Sequence, residues 1–228
     1  MIHITNLTKT YGKSRGVADL TLHAPAGGCF GFIGPNGAGK STTIRTLLGL
    51  ISPTAGSAKV LGLDCVKERT AILTRVGYMP SEAMFYPEWR VSEVIRLSAD
   101  LRKKDCGREA AALCDALELD TRKKIRELSL GNRKKVSIVC AMQHRPELYI
   151  LDEPTSGLDP LVQRAFWSEL EARRREGATV FLSSHVLYEV QRYCDRAAII
   201  REGRLLVEGT TVELDIENKF FDYYEGRA

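Results

Sequence analysis

Apolar and polar positions alternate at the start of the chain. Ile2, Ile4, Leu20 and Leu22 sit on strand-like spacing, and Gly27-Gly28 ends the pattern. A period of two predicts short alternating strands over residues 1–30. At Cys29-Phe-Gly-Phe-Ile33 the alternation becomes a continuous apolar run, which predicts a buried strand leading into a glycine-rich loop. Residues 43–50 then have helical composition. From about residue 91 to 143 the period lengthens. Val91, Val94, Ile95, Ser98 and Leu101 share one helical face, as do Ala110, Leu113, Cys114 and Leu117. Residues 132–143 make a third helix with Val136, Val139 and Cys140 inward. Apolar runs at 148–151 and 179–182 are each followed by polar residues and a helix, the layout of a parallel sheet covered on both faces. Residues 197–200 and 205–207 flank a turn at Glu202-Gly203 and read as a hairpin. No repeat or linker divides the chain. The pattern predicts one α/β domain with a helical arm inserted in it.

Composition narrows the classes without choosing among them. Apolar residues are 44% and charged residues 27% of 228, ordinary globular usage that excludes a disordered chain. Lys+Arg 33 against Asp+Glu 29 leaves +4, too weak a balance to imply nucleic acid by itself. No window approaches about 18 consecutive apolar residues, so no membrane span is expected. Met1-Ile-His-Ile-Thr lacks the layout of a signal peptide, and a cytoplasmic chain is expected. Cys29, Cys65, Cys106, Cys114, Cys140 and Cys194 are scattered with no C-x-x-C pair, which argues for reduced structural thiols rather than zinc or disulfides. The basic runs at 102–104, 122–124, 133–135 and 173–175 read as solvated helix faces, with 133–135 also placed to favour a phosphate.

The chemistry is concentrated in a few segments. Gly34, Pro35, Asn36, Gly37, Ala38, Gly39, Lys40 and Ser41 match G-x-x-x-x-G-K-[ST], after a strand and before a helix, with Thr42 next. Glycines let N–H groups converge on phosphate oxygens, Lys40 reaches the β- and γ-phosphates, and the Ser41 hydroxyl suits Mg²⁺. The apolar run at 148–151 ends in Asp152 and Glu153, at the strand end where ligands collect in such sheets. Asp152 is placed for the magnesium shell (through water) and Glu153 to polarise an attacking water. Either acid could instead cap the turn at Pro154-Thr155.

Two more segments, Leu128-Ser-Leu-Gly-Asn-Arg-Lys-Lys135 and Ser156-Gly-Leu-Asp159, precede His185 at the end of the next strand. In order and spacing the set resembles the ATP-binding cassette of ABC transporters, over nearly the whole chain from Tyr11 to Gly209. The resemblance implies a P-loop NTPase fold with a mostly parallel sheet, an N-terminal antiparallel β subdomain and an α-helical subdomain at about 87–143, in one domain over 1–228. It implies ATP and Mg²⁺ as ligands. Ser129, Leu130, Gly131 and Asn132 become the signature that contacts the γ-phosphate held by the opposite subunit. His185 becomes the switch histidine. Tyr11 becomes the adenine-stacking aromatic, with packing in a strand turn as its rival.

Two departures stand out. The signature has Leu130 where the family has its first glycine, and Ser81-Glu82 stands where the family places a glutamine near the metal, leaving Ser81 or Glu82 as a replacement. Both variants are similar to ABC-2 exporter cassettes. The resemblance therefore implies an ATPase subunit of a bacterial exporter, at the cytoplasmic face of the membrane. Its partners would be separately encoded transmembrane permease subunits and a second cassette, identical or related, but no nucleic acid. The alternative is a soluble ABC-type ATPase acting on ribosomes or DNA. Met84, Phe85, Tyr86 and Trp89 either fill the core under the arm or form an apolar groove for a membrane subunit.

Overall fold

The computed structural model describes residues 1–12 and 14–226. They form two compact units, one from residues 1–75 and 179 onward, the other from 76–178. The first opens with two long strands rather than several short ones, β1 (Ile2–Tyr11) and β2 (Ser14–Ala24), paired antiparallel. Ile2, Ile4, Leu7, Leu20 and Leu22 are all buried, so the alternation marks a half-buried ribbon. Next come β3 (Cys29–Ile33), α1 (Lys40–Leu47), β4 (Ala55–Val60), β5 (Leu63–Asp64) and α2 (Arg69–Arg75). β4 pairs with the other edge of β1, giving an antiparallel sheet in the order β2-β1-β4-β5. Helix α1 starts earlier than the composition suggests, because Gly39 takes the N-cap position at φ 106°. It ends early too. Gly49 turns the chain at φ 65°, where a Cβ would meet the Cys65 carbonyl at 2.4 Å.

The second unit begins with β6 (Val76–Met79), followed by α3 (Val91–Asp100), α4 (Gly107–Ala116), a 3₁₀ turn (Ile125–Glu127), α5 (Leu130–Met142), β7 (Leu148–Asp152) and α6 (Pro160–Arg175). β6 and β7 pair in parallel, Val76 opposite Leu148. Val91, Val94, Ile95, Ala110, Leu113 and Cys114 are buried as their period predicts, but Leu101 is not. It lies past the end of α3 and is 70% exposed, ahead of a left-handed turn at Lys103. The third helix begins at Leu130, since Ser129 caps it by accepting the Asn132 N–H. The basic runs need correcting. Arg173 is buried with Glu109, Glu169 and Glu176 as ion-pair partners, and Lys134 and Lys135 are buried inside α5.

The chain then returns to the first unit through β8 (Thr179–Ser184), α7 (Leu187–Tyr193), β9 (Arg196–Arg201), β10 (Arg204–Thr210), α8 (Thr211–Leu214) and α9 (Ile216–Glu225). β3 lies between β8 and β9, parallel to both, and β10 closes the predicted hairpin. The β3 and β8 residues are all buried, as expected of strands covered on both faces. Only glycine fits at Gly31, where a Cβ would come within 2.3 Å of Val190 on α7. Phe220 to Tyr224 form part of α9, an element the sequence pattern did not predict. All six cysteines are free thiols, five of them buried and Cys140 half-buried.

Candidate functional site

In the first unit β3 runs into the glycine-rich loop at 34–41. Gly37 and Gly39 take φ of 81° and 106°, a conformation glycine adopts without a Cβ penalty. No side chain caps α1, and the dipole of the helix favours an anion at its start. The loop is braced from behind by the turn of the β9–β10 hairpin. Gly203 N–H donates to the Ala38 carbonyl (2.9 Å) and its carbonyl accepts from Ala18 N–H (2.8 Å). Lys40 is 5% exposed, and its ammonium donates to the carbonyls of Gly34 (2.6 Å) and Pro35 (3.2 Å). Asn36 and Gly37 are exposed, Ala38 is buried, and Ser41 and Thr42 are half-buried.

His185 follows the end of β8 and is exposed. The turn beneath it is fixed by Ser184, whose hydroxyl donates to buried Glu189 (3.2 Å) and accepts from Val186 N–H (3.0 Å). Tyr11, at the end of β1, is 46% exposed with the Lys9 ammonium 5.4 Å from its ring centre. One edge of the ring also reaches β2, where a Cβ on Gly16 would meet it at 3.0 Å.

In the second unit β7 ends in buried Asp152, and half-buried Glu153 follows at φ 50°. A left-handed backbone at a non-glycine costs about 1–2 kcal/mol and needs something to hold it. The Glu153 carbonyl accepts from Ser156 N–H (3.4 Å) and from the Lys134 ammonium (2.9 Å). The same ammonium donates to the Ser81 carbonyl at 2.7 Å. Burial pushes the pKa of Lys134 down, while the charges of Asp152, Glu153 and Glu82 pull it back up. Ser81 is half-buried and Glu82 exposed.

The signature residues open α5. Ser129 and Leu130 are exposed and Gly131 and Asn132 half-buried. A Cβ on Gly131 would meet the Gly157 carbonyl at 3.1 Å, so the helix start packs against the loop after Glu153. Asp159 ends that loop, capping α6 by accepting from Leu161 and Val162 N–H (3.0 Å each).

Of the residues expected from sequence, the structure groups Ser81, Glu82, Asp152 and Glu153 around Lys134 in the second unit, and the phosphate loop with its hairpin brace in the first. Reasoning from sequence missed Lys134, which it read as part of a basic run. The signal was available in Val136 to Met142, a stretch so evenly apolar that the helix must be buried all round. Among the described residues no cluster of three or more His, Cys, Asp or Glu side chains gathers as a metal site. The Ser41 hydroxyl in the first unit and the Asp152 carboxylate in the second are each hard oxygen donors of the type that suits Mg²⁺. No helix among the described residues is long and apolar enough to cross a membrane.

The profile of the ABC transporter family matches residues 17–156. A bacitracin transport ATP-binding protein from Bacillus licheniformis is 38% identical over 91% of this chain and 69% of its own length. A Nod factor export ATP-binding protein from Cupriavidus pinatubonensis is 34% identical over 94% of this chain and 67% of its own. The solved ATP-binding subunit of an ABC transporter superposes with a TM-score of 0.88 at 31% identity, covering 97% of this chain and 93% of that one. A dimeric cassette bound to ADP and Pi after hydrolysis shares the fold at a TM-score of 0.80 and 21% identity, over 92% of this chain and 99% of its own.

Proposed function

We propose that this chain, which belongs to the ABC transporter family, is the ATP-binding and ATP-hydrolysing subunit of a bacterial exporter. The observation that carries this reading is the phosphate loop at 34–41, glycine-turned, braced by the Gly203 hairpin and opening an uncapped helix. Loop and helix N–H groups hold the phosphates, and Lys40 exchanges its loop carbonyls for phosphate oxygens. Ser41 and Asp152 would be the residues to hold Mg²⁺, Asp152 through water, and the ion would supply positive charge against the phosphates. Tyr11 stacks on the adenine, Glu153 accepts a proton from the attacking water, and His185 donates a hydrogen bond to the γ-phosphate.

Ser129, Leu130, Gly131 and Asn132 complete a site on a second cassette. The exposure of Ser129 and Leu130 at the start of α5 supports this, since a helix start that meets solvent can receive a phosphate from another subunit. Two such sites face each other in a head-to-tail pair, identical or related. The names of the relatives, one for bacitracin transport and one for Nod factor export, support a role in export. On this reading the membrane subunits are separate chains and this one works at the cytoplasmic face.

Glu153→Gln tests the reading, because a cassette that binds ATP but cannot hydrolyse it accumulates the closed pair. Light scattering should find monomers without nucleotide and dimers with ATP. Monomers in both conditions, with ATP bound, would remove the signature from its role in trans.

A further inference from the structure

We infer that Lys134 is a positioning residue for hydrolysis, tying the signature helix to the main chain of Glu153 and to the loop that begins at Ser81. This inference rests on the reading of Glu153 as the residue that activates water. Lys134 is 4% exposed, so little of its side chain meets bulk water. It donates to two carbonyls from segments far apart in sequence, Ser81 at 2.7 Å and Glu153 at 2.9 Å. Charge-assisted bonds of this length are among the stronger polar contacts in a protein interior. The Glu153 carbonyl belongs to a backbone held at φ 50°, and whatever fixes that carbonyl also fixes the direction in which the side chain leaves the main chain.

Charge gives a second reason for a lysine here. Asp152, Glu153 and Glu82 all act electrostatically on this one ammonium. Glu82 brings an extra carboxylate into the neighbourhood of the strand-end acids, and Lys134 offsets it from within the same unit. Ser81-Glu82 and Lys134 thus act as one set. Because α5 starts at the signature, a tilt of that helix is transmitted through the Lys134 side chain to both the Glu153 turn and the Ser81 loop. The signature's engagement with nucleotide and the readiness of Glu153 are then linked mechanically.

The test compares Lys134→Met, which keeps length and loses the donors, with Lys134→Arg, which keeps charge and donors. Turnover and KM for ATP are measured on the full chain, alone and in the Glu153→Gln background, with nucleotide affinity measured by direct titration. Lys134→Met should lower kcat roughly 10–100-fold with KM and ATP affinity changed less than about 3-fold, and Lys134→Arg should recover most of the loss. In the Glu153→Gln background Lys134→Met should add less than about 2-fold, since residues acting as a unit are not additive. If Lys134→Met does not fold, Lys134→Gln takes its place in the same measurements. An unchanged kcat, a loss carried mainly by KM, or a full additional loss beside Glu153→Gln would each overturn the assignment. Parental turnover in Glu153→Gln itself would instead remove the reading on which it rests.

Discussion

Two buried lysines, one in each unit, hold two left-handed turns, and they do so differently. Lys40 donates to Gly34 and Pro35, carbonyls of its own loop, and the positive φ there falls on Gly37 and Gly39. Lys134 donates to Ser81 and Glu153, carbonyls of two separate segments, and the positive φ falls on a glutamate. A glycine turn keeps its shape without its lysine, so Lys40 can leave its carbonyls for a phosphate. The Glu153 turn carries about 1–2 kcal/mol of backbone strain and depends on outside donors. One lysine is a ligand in waiting. The other is a fixed strut.

The largest effect separates the two turns by function. Glu153→Gln should keep ATP affinity and lose turnover by roughly 10²–10⁴-fold, the range for removing a general base. Lys40→Ala should instead weaken ATP binding, since it removes a charged donor from the phosphates rather than from the water. Binding isotherms beside steady-state rates check both. A Glu153→Gln protein that hydrolyses like the parent, or a Lys40→Ala protein that binds ATP as tightly, would erase the contrast.

The first turn was far easier to read from sequence than the second. Glycines at fixed spacing, a lysine and a strand-to-helix context carry the phosphate loop in the sequence itself, because backbone geometry there is local. Asp152 and Glu153 were legible as the polar end of an apolar strand. Lys134 was not, because its partners lie at Ser81 and Glu153, and sequence pattern reports periodicity rather than long-range pairing. The same limit explains the Gly203 brace on Ala38 and the Ser184–Glu189 contact beneath His185. Helix ends were misjudged where a cap decided them, at Gly39 and Ser129. The tail helix α9 was missed because only Ile216 of its residues is buried, which leaves little apolar period to detect.

A smaller effect uses acid as a lever on the second unit alone. His144 is 3% exposed, its Nε2–H donates to the Val76 carbonyl at 3.3 Å, and its Nδ1 has no hydrogen-bond partner among the described residues. Burial, aided by the charge of Arg102, pushes its pKa from 6.5 down to about 4. The folded form is therefore neutral where the unfolded chain already takes up a proton. Stability from this group is complete above about pH 6.5 and is lost as pH falls toward about 4. The difference amounts to about 3 kcal/mol. Thermal melts across that window should fall steeply for the parent and less steeply for His144→Met. Parallel curves would show that His144 titrates alike in both states.

The smallest effect lies at the outer end of the segment that Lys134 grips. Beyond Ser81 and Glu82 the chain presents Met84, Phe85, Tyr86 and Trp89, which sequence alone left divided between core and docking surface. Met84 is 93% exposed and Tyr86 67% exposed, while Phe85 and Trp89 are half-buried, so none of the four fills a core. The Tyr86 and Trp89 rings lean on each other at 5.2 Å, forming an apolar surface that solvent alone does not reward. As an anchor for a membrane subunit, one such ring is worth roughly 2 kcal/mol, about 30-fold in affinity. Tyr86→Ala should thus leave the isolated chain's melting and ATP hydrolysis within about 0.5 kcal/mol of the parent, as exposed substitutions do. Its association with the transmembrane partner, measured in detergent or nanodiscs, should weaken about 30-fold. Trp89→Ala should weaken that association comparably but with more effect on melting, because Trp89 is the more buried and its carbonyl accepts from Ile125 N–H at 2.9 Å. A large loss of melting temperature together with lost nucleotide binding in Tyr86→Ala would return the ring to the core. Unchanged partner affinity in both variants would free the patch from docking and leave Lys134 gripping a segment with no outward task.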